Sequence, residues 1–232
     1  VNDDFWDDQW ARRFDEHVAP LNTFVDTIRA EHGLDAPYVA PYYGGTSARL
    51  LSVLRDPGHG ADKAHRGSGL LCIENADQTS TRQRSLFGEV GIDKADMIPW
   101  NAYPFFIHRK PLAAELTLGA RLLLQLLELP EVHITVVLLQ GNEAKDAWKR
   151  LLRAEPGMEK RLGLQVVETI HPSISALQTD VPGERARREV DRRAKYAEAA
   201  HLLGDSNSDV PARVADAPIV SADPARPEEP HR

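Results

Sequence analysis

The chain has 232 residues, 42% of them apolar and 27% charged, which is the usage of a globular domain with a sizeable core. No run approaches the roughly 18 apolar residues of a membrane span, the acidic start is unlike a signal peptide, and the single cysteine, Cys72, excludes an internal disulfide or a four-thiolate metal site. A cytoplasmic protein without membrane partner, metal or cofactor is therefore expected, and nothing suggests more than a monomer.

Residues 5–32 carry Phe5, Trp6, Trp10, Phe14, Val18, Leu21, Val25 and Ile28 at spacings of mostly three or four, which predicts one amphipathic helix or two broken near Pro20. Pro37–Gly45 reads as a loop and Arg49–Leu54 as the first buried strand. Leu70–Ile73 is a short strand within a polar, Gly-rich stretch, and Arg82–Val90 is a helix closed by Gly91. A strand over Ala95–Trp100 runs into an irregular loop, followed by the amphipathic helix Leu112–Leu129 and the aliphatic strand His133–Leu139. Gly141-Asn142 turns that strand into the helix Glu143–Arg153. Leu164–Thr169 is the last strand and Glu184–Leu203 the closing helix. Strands alternating with helices in this way predict a three-layer α/β/α domain with a mainly parallel four-stranded central sheet.

The chain divides into an N-terminal helical segment (1–36), an α/β domain (37–204) and an acidic, Pro-rich tail (205–232) too poor in apolar residues to fold. The net charge of −7 is unevenly spread. Residues 1–36 hold −6 and residues 205–232 hold −3, which leaves +2 for residues 37–204. That mildly basic middle is compatible with nucleic acid, because local field matters more than total charge.

Two turns stand out. Arg55-Asp56-Pro57-Gly58-His59 follows Leu50–Leu54, and His171-Pro172-Ser173 follows Leu164–Ile170. In an open α/β sheet, ligands bind in the crevice outside the carboxyl ends of the strands, so a carboxylate and an imidazole after two strands can meet there.

With these residues the chain resembles a divergent bacterial member of the uracil-DNA glycosylase superfamily, without the iron–sulfur cluster that one branch carries. The first superfamily motif, a strand and then Gly-x-Asp/Asn-Pro-Tyr/Gly, stands here as Leu54-Arg55-Asp56-Pro57-Gly58-His59, with Leu54 replacing the glycine. Ala64-His65 and Gly69-Leu70 follow as in the uracil-specific branch, and the second motif is Ile170-His171-Pro172-Ser173. Between them, Met97-Ile98-Pro99-Trp100-Asn101 resembles the strand that ends in a base-reading Asn. The resemblance covers residues 37–203 and implies a monofunctional glycosylase of base excision repair that hydrolyses the bond between uracil and deoxyribose in DNA.

The roles it implies are Asp56 as the carboxylate beneath the sugar, His171 as the donor to the departing base and Asn101 as the reader of its edge. Pro57, Gly58, His59, Pro172 and Ser173 would contact substrate. Gly58 stands where the uracil-specific branch has a tyrosine, which implies a wider specificity. No aromatic on Leu70-Leu71-Cys72-Ile73 is available to stack on the base, leaving Trp100, Tyr103 or Phe105; the wedge that enters the vacated stack is Leu177. Ile107-His108-Arg109-Lys110 resembles the loop of the branch that becomes covalently trapped on DNA, and also reads as a basic loop contacting phosphate. Two other classes fit the sequence: a non-catalytic binder of uracil or abasic DNA with the same fold, and an α/β enzyme of free nucleosides or nucleotides.

Overall fold

Four five-residue strands carry the core: β2 (Leu50–Leu54), β4 (Met97–Asn101), β5 (Val136–Gln140) and β6 (Gln165–Thr169). In the computed structural model, which describes residues 1–205, they form one all-parallel sheet in the order β4-β2-β5-β6. Composition follows position. The central strands read Leu-Leu-Ser-Val-Leu and Val-Val-Leu-Leu-Gln and are buried almost throughout, as strands covered on both faces must be. Edge strand β6 mixes exposed and buried residues, and Pro99, with no N–H to donate, sits on the other edge, in β4.

The chain moves from β2 to β4 through α3 (Gln78–Glu89). It returns past β2 to β5 through α4 (Ala113–Leu127) and continues to β6 through α5 (Asn142–Ala154). Right-handed crossovers in opposite directions place helices on opposite faces. Accordingly α4 packs on α5, while α3 packs on α7 (Glu184–Asp205), which lies against β5 and β6. The predicted three-layer fold is the observed one. Because the chain leaves β2 in one direction and later passes it in the other, a crevice opens at the carboxyl ends of β2 and β5.

At the N-terminus there are two helices, α1 (Asp3–Ala11) and α2 (Ala19–His32). The break precedes Pro20, which lies in the first turn of α2, where a missing N–H costs nothing. Val18 and, from α2, Leu21, Val25 and Ile28 are fully buried in the core shared with the sheet. The predicted loop 37–45 contains a two-residue strand, β1 (Tyr38–Val39), paired in parallel with β3 (Leu70–Leu71). Two residues are too few for any periodicity to reveal. Helix α3 starts at Gln78, ahead of the predicted Arg82, because Asp77 caps it through the Ser80 amide (2.8 Å). A short α6 (Met158–Leu162) was not expected. Among the described residues no helix is long and apolar enough to cross a membrane. Most of the acidic tail lies outside the described residues.

Candidate active site

The carboxyl ends of the strands open into a cleft of about 500 Å³. Its walls include Asp56, Pro57, Gly58, His59, Asn101, His171 and Ser173 from the expected site residues. Local structure explains why they converge. Asp56 and His171 each lie two residues beyond a strand, β2 and β6, and Asn101 is the last residue of β4, in register with Leu54. The ladder continues past the strand ends, with the Ala102 amide donating to the Leu54 carbonyl (2.7 Å) and Tyr103 to Arg55 (3.0 Å). The Asp56 turn and the Asn101 segment are thus held together by backbone.

Each polar group has its state set by its surroundings. The Asp56 side chain is 4% exposed and pairs with the Arg55 guanidinium. Burial lifts its carboxyl above the usual range, Arg55 and His108 work against that rise, and the nearby Glu143 adds to it. His171 is held neutral: burial, with Arg55 and Arg192 nearby, brings its pKa down to about 4. Its Nδ1 accepts a hydrogen bond from the Ser173 amide (3.1 Å), so the single proton of the neutral ring lies on Nε2. Asn101 is 2% exposed, and its Oδ1 is buried without a hydrogen-bond partner. A buried acceptor left unpaired costs about 1–3 kcal/mol, and Asn101 is among the residues that line the cleft.

The floor beneath is polar and fully bonded. Gln140 donates to Ser52 (2.7 Å), and its Oε1 accepts from Gln83 (3.1 Å) and from Tyr196. Ser52 and Gln83 face the cleft. Gly141, at φ 103°, holds a backbone conformation that favours glycine, and a Cβ there would lie a tight 3.3 Å from His171 Cβ.

Some expected residues lie elsewhere. Pro172 does not line the cleft; its carbonyl accepts from Arg192 Nη1 (2.8 Å). Leu177 is 3% exposed and packs inward, so it cannot wedge DNA, whereas Ile174, the first residue of the same turn, is 46% exposed. Residues 174–177 form a single 3-10 turn, packed so that its last residue is covered and its first is left at the surface. Tyr103 and Phe105 are core residues away from the cleft; Trp100 lines it and is 2% exposed. On the mouth side, Gly58 is open, with nothing within 4 Å of a notional Cβ. In the 107–110 loop, Arg109 is paired with Glu115 (2.8 Å) and Lys110 with Glu143 (3.5 Å), while His108 Nε2 donates to Asp62 (2.7 Å).

Three contributors escaped the sequence reading. Glu143 enters the cleft from the first turn of α5. Tyr43 lines it from the predicted loop, with its hydroxyl accepting the Ile73 amide (2.8 Å). Arg192 of α7 is fully buried, and its Nη1 donates to the carbonyls of His171 (3.3 Å), Pro172 (2.8 Å) and Ser173 (3.4 Å). That clamp, with Glu189 on the other nitrogen, holds the His-Pro-Ser turn. Its signal was a strand-to-helix carbonyl contact of about twenty residues' separation, invisible to local patterns.

Cys72 also lines the cleft, but burial pushes its thiol up to about 12, which leaves it protonated and inert. Among the described residues, His59, His65 and His108 at the cleft mouth are grouped closely enough to hold a metal ion. No protein-family model matches this chain, and no curated protein matches it, so its chemistry has to be read from the cleft itself.

Proposed function

We propose that the protein is a monofunctional DNA glycosylase that hydrolyses the N-glycosidic bond of uracil in DNA and leaves an abasic site. In this reading it acts as a monomer in the cytoplasm, with no membrane partner. The observation that carries the reading is the joint state of three side chains in one cleft: a buried carboxylate, a neutral imidazole with its proton on Nε2, and a buried amide oxygen without a partner.

Each answers one requirement of the reaction. The target nucleotide leaves the stack, and its base is read by the edge it formerly paired with. Asn101 accepts from the ring N–H through Oδ1 and donates from Nδ2 to the adjacent carbonyl. As the bond from C1′ to the base nitrogen breaks, its electron pair goes to the base and the sugar becomes cationic. His171 Nε2–H donates to the base oxygen where negative charge collects, and because the ring is neutral it stabilises that charge without surrendering its proton. Asp56, poorly hydrated and held by Arg55, stabilises the cationic sugar and orients water. Water adds its hydroxyl to C1′, and its remaining proton neutralises the released base. Gly58 leaves one side of the pocket without a wall, which favours acceptance of bases other than uracil. Ile174 replaces Leu177 as the exposed apolar side chain beside the His-Pro-Ser turn that can enter the vacated stack.

The test is incubation with labelled single-stranded and duplex oligonucleotides carrying one uracil, then alkali. A cut at the uracil is expected. Intact DNA that the protein still binds in preference to undamaged DNA would replace this reading with the non-catalytic binder, a reading favoured by the aliphatic Leu71 and Ile73 and the thiol of Cys72 where a stacking aromatic is expected. Binding to free nucleosides, insensitive to salt, would favour the third class, because contacts to a phosphate backbone weaken steeply with salt.

A further inference from the structure

We propose that His59, His65 and His108 form a binding site for a divalent transition-metal ion, with Zn²⁺ as its representative, and that Asp62 is the carboxylate that orients two of the three rings. The inference stands on this cluster alone and is independent of the glycosylase reading.

The three rings are brought together by two segments far apart in the chain. His59 and His65 come from the compact loop after Asp56, and His108 from the loop between β4 and α4. One ligand nitrogen of each ring lies within 4.8 Å of the other two. His59 stacks on His108 with ring centroids 4.1 Å apart, and the other two pairs stand at 4.7 and 4.8 Å. The ligand nitrogens of a tetrahedral ion with bonds of about 2.0–2.1 Å lie about 3.3 Å apart, so the rings need to draw together by up to about 1.5 Å, and His59 and His108, whose planes stand 14° apart, also need to turn so that their in-plane lone pairs converge. His59 and His65 are exposed side chains on short turns and are free to do so.

Asp62 supplies what a bare histidine cluster lacks. Its side chain is 7% exposed, and one oxygen, Oδ2, accepts from both His65 Nδ1 (2.7 Å) and His108 Nε2 (2.7 Å). The Ala64 amide donates to its other oxygen, Oδ1 (2.8 Å). An ionised carboxylate only accepts, so both rings donate to it, and the second nitrogen of each keeps its lone pair. A histidine ligand whose other nitrogen donates to a carboxylate is the usual arrangement around bound metal.

The backbone is shaped to the same end. His108 has φ +50°, a left-handed conformation that strains a non-glycine residue and concentrates at ligand clamps. Gly67 allows the loop to close on itself: a Cβ there would meet the Asp62 nitrogen and the His59 oxygen at 2.5 Å. An ion has an entry path on two sides, since His59 and His108 face the main cleft while His59 and His65 line a second cavity beside Trp6 and Trp10. Three imidazoles suit Zn²⁺, Cu²⁺ or Ni²⁺ better than Mg²⁺ or Ca²⁺, and leave a fourth position for water.

The test is isothermal titration of the full, untagged chain with Zn²⁺ after treatment with chelator, together with the visible absorption of the Co²⁺ form. One ion per chain and a Co²⁺ spectrum with histidine ligation are expected. His59→Ala and His108→Ala should each weaken binding by about 100-fold, and Asp62→Asn by about tenfold, while His201→Ala, on the far end of α7, should leave it unchanged. If His108→Ala does not fold, His59→Ala alone decides, because it removes a ligand without touching the bonds to Asp62. No saturable uptake, or uptake undiminished in His59→Ala, would overturn the assignment and leave the cluster as a hydrogen-bonded latch between two loops.

Discussion

The floor and the mouth of the cleft are built on opposite plans. At the floor, Asn101, Asp56 and His171 project from the carboxyl ends of β4, β2 and β6 in one parallel sheet, so their positions are fixed by the sheet register and the charge states of Asp56 and His171 by burial. At the mouth, His59, His65 and His108 are exposed side chains whose arrangement depends on one shared carboxylate, Asp62, and on loops that no strand holds. The difference teaches where each kind of chemistry can sit. A rigid, poorly hydrated floor suits a reaction that needs a neutral donor and an oriented anion, because electrostatic interactions there are little screened. An adaptable mouth suits a ligand that the rings must move to surround.

Substitutions at the two levels should therefore differ in kind. The largest effect is expected for Asp56→Asn, which should lower single-turnover cleavage of uracil DNA by about 10³-fold while changing DNA affinity by no more than a few-fold; parallel rate and anisotropy measurements separate the two. Loss of binding in step with rate would mean that Asp56 holds the fold or the substrate instead. Next comes Arg192→Met, which removes the buried clamp on the His-Pro-Ser turn and should cost about 3 kcal/mol in urea denaturation. It should slow cleavage as well, since His171 would lose its fixed orientation; an unchanged rate would show that the turn is held by β6 alone.

A similar energy separates the protonation states of His171. The unfolded chain binds a proton at this ring below about 6.5, but the folded protein does so only below about 4. The stabilisation is fully present above pH 6.5 and is lost as pH falls through that window, by about 3 kcal/mol in all. Denaturation midpoints compared with those of His171→Asn across pH 4–7 read it directly, and coincident profiles would contradict a buried neutral ring. Tyr196→Phe is smaller: Gln140 Oε1 keeps its bond from Gln83, so about 1 kcal/mol is expected from thermal denaturation. At the mouth, His59→Ala in metal-free protein should change stability by less than about 0.5 kcal/mol, and a larger loss would show that the mouth is as tightly built as the floor.

The same contrast explains what could be read from the sequence. The strands, the layers and the floor residues were legible because each floor residue follows an apolar run within two positions, so local pattern places it at a sheet edge. Arg192 was not, because its partners are three backbone carbonyls across the chain, and backbone carbonyls carry no residue identity. Neither was the histidine cluster: its organising contact, Asp62 to His108, spans 46 residues between loops without periodicity. Leu177 failed because sequence spacing does not show how the 3-10 turn 174–177 packs: its first and last side chains leave on one side, yet the fold covers Leu177 and leaves Ile174 exposed. The missing stacking aromatic has a partial answer in Trp100 and Tyr43, which line the cleft from elements other than β3.

The central claim concerns the floor, and the most direct measurement is free base released from a uracil-containing duplex, quantified beside the abasic sites formed by wild-type protein and by Asp56→Asn. The account predicts one free uracil for each abasic site with the wild type and about 10³-fold slower release with the variant. Uracil that stays in the DNA with wild-type protein, or a variant as fast as the wild type, would contradict it.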